Sequence, residues 1–283
     1  FGLFSTVSLR RAFEMSFSQI VVGPLGKYMP DTMDIGPIKD VLHPLLTQKL
    51  PEVPPLELIQ YIPEIHPSTP KIVELGESFT VSFILIGTAI QHVTLVMFAL
   101  VRLFSIGWGS ARVKADLEKV SYEDFPDEEV VIFKAGEERF RIFSTTTCIN
   151  APQPNKTVDV DISTPMILAR KKIFSGKENF DAAAFFASLY RRSRALAAAL
   201  SFEIGMSGDA VEHASLRISC ESDLHWHDKT FRALRNEGMI RFGGVTGKIR
   251  FENLSPVHLR LLDFARLCHA GKSTAYGMGR VSY

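Results

Sequence analysis

The sequence predicts an α+β fold of two tandem ferredoxin-like (RRM-like) βαββαβ domains, the second carrying a glycine-rich loop near the C-terminus. Three observations predict it. Strand-length stretches with period-two alternation are interleaved with helix-period stretches along the chain. A unit of helix, glycine loop and basic strand occurs twice, first through Gly107-x-Gly109 to Arg112-Val113, then through Gly277-x-Gly279 to Arg280-Val281. A twofold repeat so widely spaced marks two related domains, not a solenoid. Between the copies, "CINAPQPNKT" carries Pro152, Pro154 and Asn155, the composition of a linker or turn. The expected organisation is a domain over 1–147, a linker over 148–155 and a second domain over 156–283.

The first fifty residues are loop-like around "GPLGKYMPDTMDIGP", with helical character only in "LRRAFEMSF". Beyond them, Phe79, Val81, Phe83 and Leu85 alternate with Ser78, Thr80 and Ser82, which is strand behaviour. Gly87-Thr88 then punctuates before a helix whose apolar face is Ile90, Val93, Met97, Leu100, Val101 and Phe104. Read as one piece, Val81 to Phe104 reaches the roughly 20 apolar residues of a membrane span. The alternation, and Gln91 and His92 at what would be mid-membrane, argue for strand, turn and buried helix. In the second domain "TVDVDIST" reads as a strand, Asp181 to about Phe202 as a helix, and "HASLRISC" as a strand. In "MIRFGGVTGKIRFENL", Gly243-Gly244 and Gly247 mark a turn or bulge within a hairpin. Ser255 is placed as an N-cap and Pro256 as the first helical residue of a last helix carrying Val257, Leu261, Phe264 and Cys268 at helical spacing. The strand "GRVSY" closes the chain.

With 283 residues, 46% hydrophobic and 22% charged, the chain can bury a core and is long enough for two domains. A net charge of +1 confines any polyanion site to a local patch. Cys148, Cys220 and Cys268 are isolated, with no metal-ligand spacing, which fits a reducing compartment, a cytoplasmic location and no structural zinc. No signal segment is recognised, and no cofactor or metal is implied. The stretch "HAGKSTAYGMGR" contains Gly-Lys-Ser-Thr, half of a phosphate-binding P-loop. The position that should hold the other glycine is Arg266. The order is also reversed, helix then loop then strand, so nucleotide hydrolysis at this loop is rejected.

The tail "HAGKSTAYGMGRV" resembles the C-terminal glycine-rich loop of the RAMP superfamily, specifically of the CRISPR endoribonucleases that process precursor crRNA. Three further segments are similar to one branch of that family: "LRRAFEMSF", "FILIGTAIQHVTLVMFALVRLFSIGWGSARV" and "HWHDKTFRALRNEGMIRFGGVTGKIRF". The resemblance covers most of the chain from Glu77 onward; Phe231-Arg232 departs from the more usual Arg-Tyr. It implies metal-independent cleavage of CRISPR repeat RNA by attack of a 2′-hydroxyl on the adjacent phosphorus, giving a cyclic phosphate and a 5′-hydroxyl. Such chemistry needs a base, an acid and cations or amides for the phosphorane charge. Implied partners are repeat RNA or crRNA and other subunits of a CRISPR effector complex, with no membrane.

Histidine suits the proton transfers near neutral pH. The resemblance puts the base near the first helix of the N-terminal domain and so favours His43, which also reads as a helix break before Pro44. His225 and His227 flank Trp226 beside Asp228, either a cluster that orients an imidazole or an exposed strand end. His92 reads as a core histidine and His269 as a helix cap. For RNA binding, Gly271, Lys272, Ser273, Thr274, Gly277, Gly279 and Arg280 supply amides, hydroxyls and cations where a backbone packs closely. Arg191 and Arg192 form a basic step on an alanine-rich helix, with Arg10, Arg11, Arg232, Arg235 and Lys248 as further phosphate contacts. The alternatives are a non-catalytic RAMP subunit that holds crRNA, and one domain of a fusion with adaptation enzymes.

Overall fold

The computed structural model describes residues 47–49, 57–59, 61–65, 69, 73–107, 113–124, 128–137, 157–170, 173–174, 180–199, 204–232 and 239–283. The chain divides into two compact units, Phe1–Cys148 and Ile149–Tyr283.

In the first unit β1 (Thr47–Lys49) pairs with β2 (Glu57–Ile59), and β3 (Tyr61–Ile65) with β4 (Val81–Leu85), both antiparallel. A 3₁₀ turn over Gly87–His92 leads into α1 (Val93–Ile106). The antiparallel pair β5 (Lys119–Asp124) and β6 (Glu128–Lys134) follows. The alternation read at residues 79–85 is sound: Phe79, Val81, Phe83 and Leu85 all pack against the core formed by α1, Tyr61 and Ile132. The face of α1 is rotated from the expected one. Val96, Met97, Leu100, Leu103 and Phe104 are buried, whereas Ile90 is 47% and Val101 39% exposed. The strand expected at Arg112-Val113 starts at Lys119 instead, with a single bridge at Val113.

The second unit is built on β7 (Thr157–Met166), followed by the short pair β8 (Ala169–Arg170) and β9 (Ile173–Phe174) and by α2 (Ala182–Ala199). Next come α3 (Gly208–Ser215), β10 (Ser219–Arg232), β11 (Met239–Glu252), α4 (Pro256–Cys268) and β12 (Val281–Ser282). The sheet order is β10-β11-β7-β12, all neighbours antiparallel. Val158, Val160 and Ile162 of β7, Leu224 of β10 and Ile249 and Phe251 of β11 alternate onto one face. There they meet Phe185, Phe186 and Leu189 of α2 and Leu259 and Leu262 of α4. Phe185 stacks on Phe251 at 5.7 Å between centroids. Among the described residues the class is α+β, and no helix is long and apolar enough to cross a membrane.

One expectation for this unit needs correction, and the turn or bulge read at the glycines of β11 is narrowed to a bulge at Gly247. "HASLRISC" is not one strand: its start closes α3, and β10 begins at Ser219. The Ser207 hydroxyl accepts the Ala210 amide and Asp209 sits in the first turn, so capping outweighs strand propensity here. Nor is there a turn at Gly243-Gly244, since β11 runs straight through, paired with Asp228 and His227. The bulge lies between Val245 and Gly247, where Gly247 takes φ 129° and a Cβ would stand 2.1 Å from the Asp223 carbonyl oxygen.

A candidate nucleic-acid interface

The glycine loop is a closed strap between α4 and β12. At its entrance His269 takes φ 60° and is buried, and its Nδ1–H donates to the Met278 carbonyl at 2.9 Å. The Ala270 amide donates to the Gly279 carbonyl at 2.8 Å, so the two ends clasp each other. Three bonds tie the strap to the end of β7 and the residue after it: Gly279 N–H to Pro165 O at 3.1 Å, Lys272 N–H to Ile167 O at 3.0 Å, and Thr164 Oγ1 to Gly277 O at 2.9 Å. Arg280 continues into β12 with its amide on Thr164 Oγ1 at 2.8 Å. Close approach explains two of the glycines. A Cβ on Gly279 would lie 1.8 Å from Ala270 O, and one on Gly271 2.6 Å from Ile167 O.

Thr274, Gly277 and Gly279 are buried, Gly271, Ser273 and Arg280 are half-buried, and Lys272 is exposed. The backbone of Lys272 is therefore anchored while its side chain stands in solvent. This is a suitable arrangement for an ammonium that meets a phosphate, because the stem is already positioned.

The basic step on α2 splits. Arg191 is exposed, but Arg192 turns inward and its Nε donates to the Cys268 carbonyl at 2.8 Å. It satisfies an end-of-helix acceptor of α4 immediately before the strap. Burial pushes the Arg192 guanidinium below its ordinary range and the Cys268 thiol up to about 11. In this setting Arg192 is a support of the loop, in place of the solvent-facing phosphate contact expected for it.

His225 and His227 lie exposed on β10, opposite Thr246 and Gly244. The His225 Nδ1 stands 4.0 Å from Asp223 Oδ1, with both side chains largely in solvent. Val245, between those partners, pairs with Met166 at the end of β7. The histidines thus sit two strand spacings, about 10 Å, from the strand that holds the strap. Lys248 shares their face of the sheet, between Asp223 and Asp161. Beside it Arg250 forms a two-pronged ion pair with Asp159 at 2.7 and 3.0 Å, which holds the Asp159 carboxyl below its usual range. On this face Asp159, Asp161, Glu221, Asp223 and Glu252 outnumber Lys248 and Arg250. Lys248 is exposed there and adds a Coulombic pull on the Asp159 carboxyl. His43, Arg10, Arg11 and Arg235 lie outside the described residues; Arg232 ends β10, and its side chain lies outside them too. Among the described residues no three His, Cys, Asp or Glu side chains gather as metal ligands.

Sequence reasoning missed His258. It is wholly buried, 4.5 Å from the Phe186 ring, with Nδ1 accepting the Ser255 amide at 3.1 Å and Nε2 3.2 Å from Ser215 Oγ. The Ser255-x-x-His258 spacing is that of a capping box, with histidine where glutamate or glutamine is usual.

Residues 160–281 match the family model of the CRISPR-associated endoribonuclease Cas6. The second unit is a Cas6-family domain. A separate model, described as an N-terminal domain, matches residues 47–145. Thermus thermophilus Cas6 in a product complex is 15% identical over 99% of this chain and 92% of its own, with a TM-score of 0.54, which shows a common fold. In another Cas6 product complex the match is 18% identical over 46% of this chain and 53% of that one, TM-score 0.32, so it spans about half of that relative. A Cas6-related protein from Pyrococcus furiosus is 10% identical over 99% and 90% of the two chains, TM-score 0.42. No curated protein shows similarity to the chain. The Cas6 domain holds the strap, α4 and the β10–β11 pair within one matched segment.

Proposed function

We propose that the chain is a Cas6-type endoribonuclease that binds CRISPR repeat RNA and cuts precursor crRNA without a metal ion. The match of residues 160–281 to the family carries this reading, and the anchored strap with Lys272 in solvent supports it. In the step proposed, a base removes the proton of the 2′-hydroxyl, whose oxygen attacks the adjacent phosphorus. The P–O5′ bond breaks and the leaving oxygen takes a proton from an acid, giving a 2′,3′-cyclic phosphate and a 5′-hydroxyl. His43 is the proposed base and His225 and His227 the rivals. Lys272, whose side chain stands in solvent, and the exposed Arg191 meet backbone phosphates. Strand order β10-β11-β7-β12 with its helices on one face supports a ferredoxin-like second domain, and we extend that fold to the first. A cytoplasmic location and association with other effector subunits follow from the reading.

The test is cleavage of a cognate repeat hairpin in excess EDTA, beside the same RNA with a 2′-deoxy sugar before the scissile phosphate. The reading expects cutting of the first and none of the second. Strict need for a divalent ion, or cutting of the deoxy substrate, removes the mechanism. Tight binding with no cutting makes the chain a crRNA-holding subunit instead.

A further inference from the structure

Strands β10 and β11 stay paired from Ser219↔Glu252 to Arg232↔Met239, but β11 last pairs with β7 at Val245↔Met166. Beyond that point they form a two-stranded arm. Trp226 sits where the arm leaves the sheet. By alternation it shares the face of buried Leu224, yet it is 42% exposed and lies outside the core cluster. Its ring lies over Gly243: a Cβ there would stand 2.7 Å from the indole Cζ2 and 2.7 Å from Asp228 Oδ1. One glycine therefore makes room for a flat aromatic surface and for a carboxylate beside it. Among the described residues neither the indole N–H nor the Asp228 carboxylate has a hydrogen-bond partner.

We propose that Trp226 and Asp228 form a base-recognition site on this arm, the indole stacking an unpaired nucleobase and the carboxylate reading its edge, with guanine preferred. The inference deepens the RNA-processing reading and rests on it. An exposed aromatic plane stacks any base, because every base has a π face. Asp228 is two residues along the same strand, its Cα about 7 Å from that of Trp226, and its carboxylate lies beside the indole over Gly243, within reach of the edge of a stacked ring. A carboxylate only accepts, so it selects an edge rich in donors. Guanine offers N1–H and N2–H side by side, matching two carboxylate oxygens. Uracil offers one N–H between two carbonyls, which the carboxylate repels. A phosphate is likewise disfavoured here, which separates this site from the strap.

The probe is a 5′-fluorescein hexauridylate and the same RNA with one central guanosine, titrated by anisotropy with the full chain. The guanosine RNA should bind about tenfold tighter. Trp226→Ala should lose about tenfold in affinity for it, the usual worth of one stacked base, while Trp226→Phe keeps most of the binding. Gly243→Ala, which displaces the ring without removing it, should lose as much as Trp226→Ala. Asp228→Asn should erase the preference for guanosine. If Trp226→Ala binds both RNAs within twofold of the wild type, the proposal fails, even where the wild type still cuts its repeat hairpin. If the wild type binds neither the hexamers nor the hairpin, the RNA-processing reading fails as well.

Discussion

At the scale of single residues, burial decides what each ionisable group can do. Burial pushes His258 from 6.5 down to about 4, so it is neutral at pH 7 and its two ring nitrogens are occupied by Ser255 and Ser215. A lowered folded-state value means that stability is full above pH 6.5, where the unfolded chain is also neutral. It then declines as pH falls toward 4, because the unfolded state takes the proton first. At pH 5 this one group should withdraw about 2 kcal/mol. His258→Gln keeps a capping side chain and removes the titration, so urea denaturation at pH 7 and pH 5 should show a smaller loss than in the wild type. An equal loss in both proteins would mean that the histidine protonates without opening the core. Arg192 and Lys272 are two basic residues with opposite tasks. Arg192→Ala leaves the Cys268 carbonyl unpartnered and should cost about 1–3 kcal/mol of stability. Lys272→Ala should leave stability within about 0.5 kcal/mol and flatten the salt dependence of RNA binding by about one counterion. Both differences are read from one denaturation series and one filter-binding titration. An unchanged salt slope for Lys272→Ala would make the strap purely structural.

The elements show why some of the chain was legible in its sequence and some was not. The bounds of the last helix were read to the residue, because Ser255 and Pro256 are local signals, but its face was not: of Val257, Leu261, Phe264 and Cys268 only Leu261 is buried, beside Leu259, Leu262 and Ala265. The strand Val81–Leu85 was equally plain, since Phe79, Val81, Phe83 and Leu85 all turn toward the core. The helix Gly208–Ser215 escaped because it is short and its cap, Ser207, lies outside the apolar pattern that drew the eye to a strand. The rotated face of α1 was beyond reach: nearly all its residues are apolar, so composition does not say which flank meets the core. Of the candidate site, the strap was recognisable from its glycines, but not that Arg192 props it or that His269 and Met278 close it. Those are contacts across 76 and 9 residues, made by packing alone. The strap's tightness yields a prediction of its own. Gly279→Ala places a methyl on the Ala270 carbonyl at φ 73° and should cost about 3 kcal/mol or more, visible as a drop in the denaturation midpoint. A midpoint unchanged within error would show that the loop yields freely.

At the scale of the whole molecule, the described residues gather into two cores. One gathers α1, β3 and β4 with Ile132; the other gathers β7, β10, β11, β12, α2 and α4. Every residue of the second cluster comes from Ile149–Tyr283. A segment of that size buries roughly two-thirds of its extended-chain surface, enough for an independent fold. The proposed chemistry is divided differently. The strap, Lys272, Trp226 and Asp228 belong to the second unit, whereas His43, the proposed base, belongs to the first. Residues 149–283 expressed alone should therefore unfold in one cooperative denaturant transition. They should still prefer the guanosine hexamer through Trp226 and Asp228, and they should not cut the repeat hairpin in single-turnover assays. In the full chain His43→Ala should lower the cleavage rate by about 10² to 10⁴ with RNA affinity nearly intact, the usual worth of a positioned base. If the isolated unit cuts at the rate of the full chain, the base lies within it. His225→Ala and His227→Ala then become the deciding variants, because those two histidines stand at the same end of the sheet as the strap.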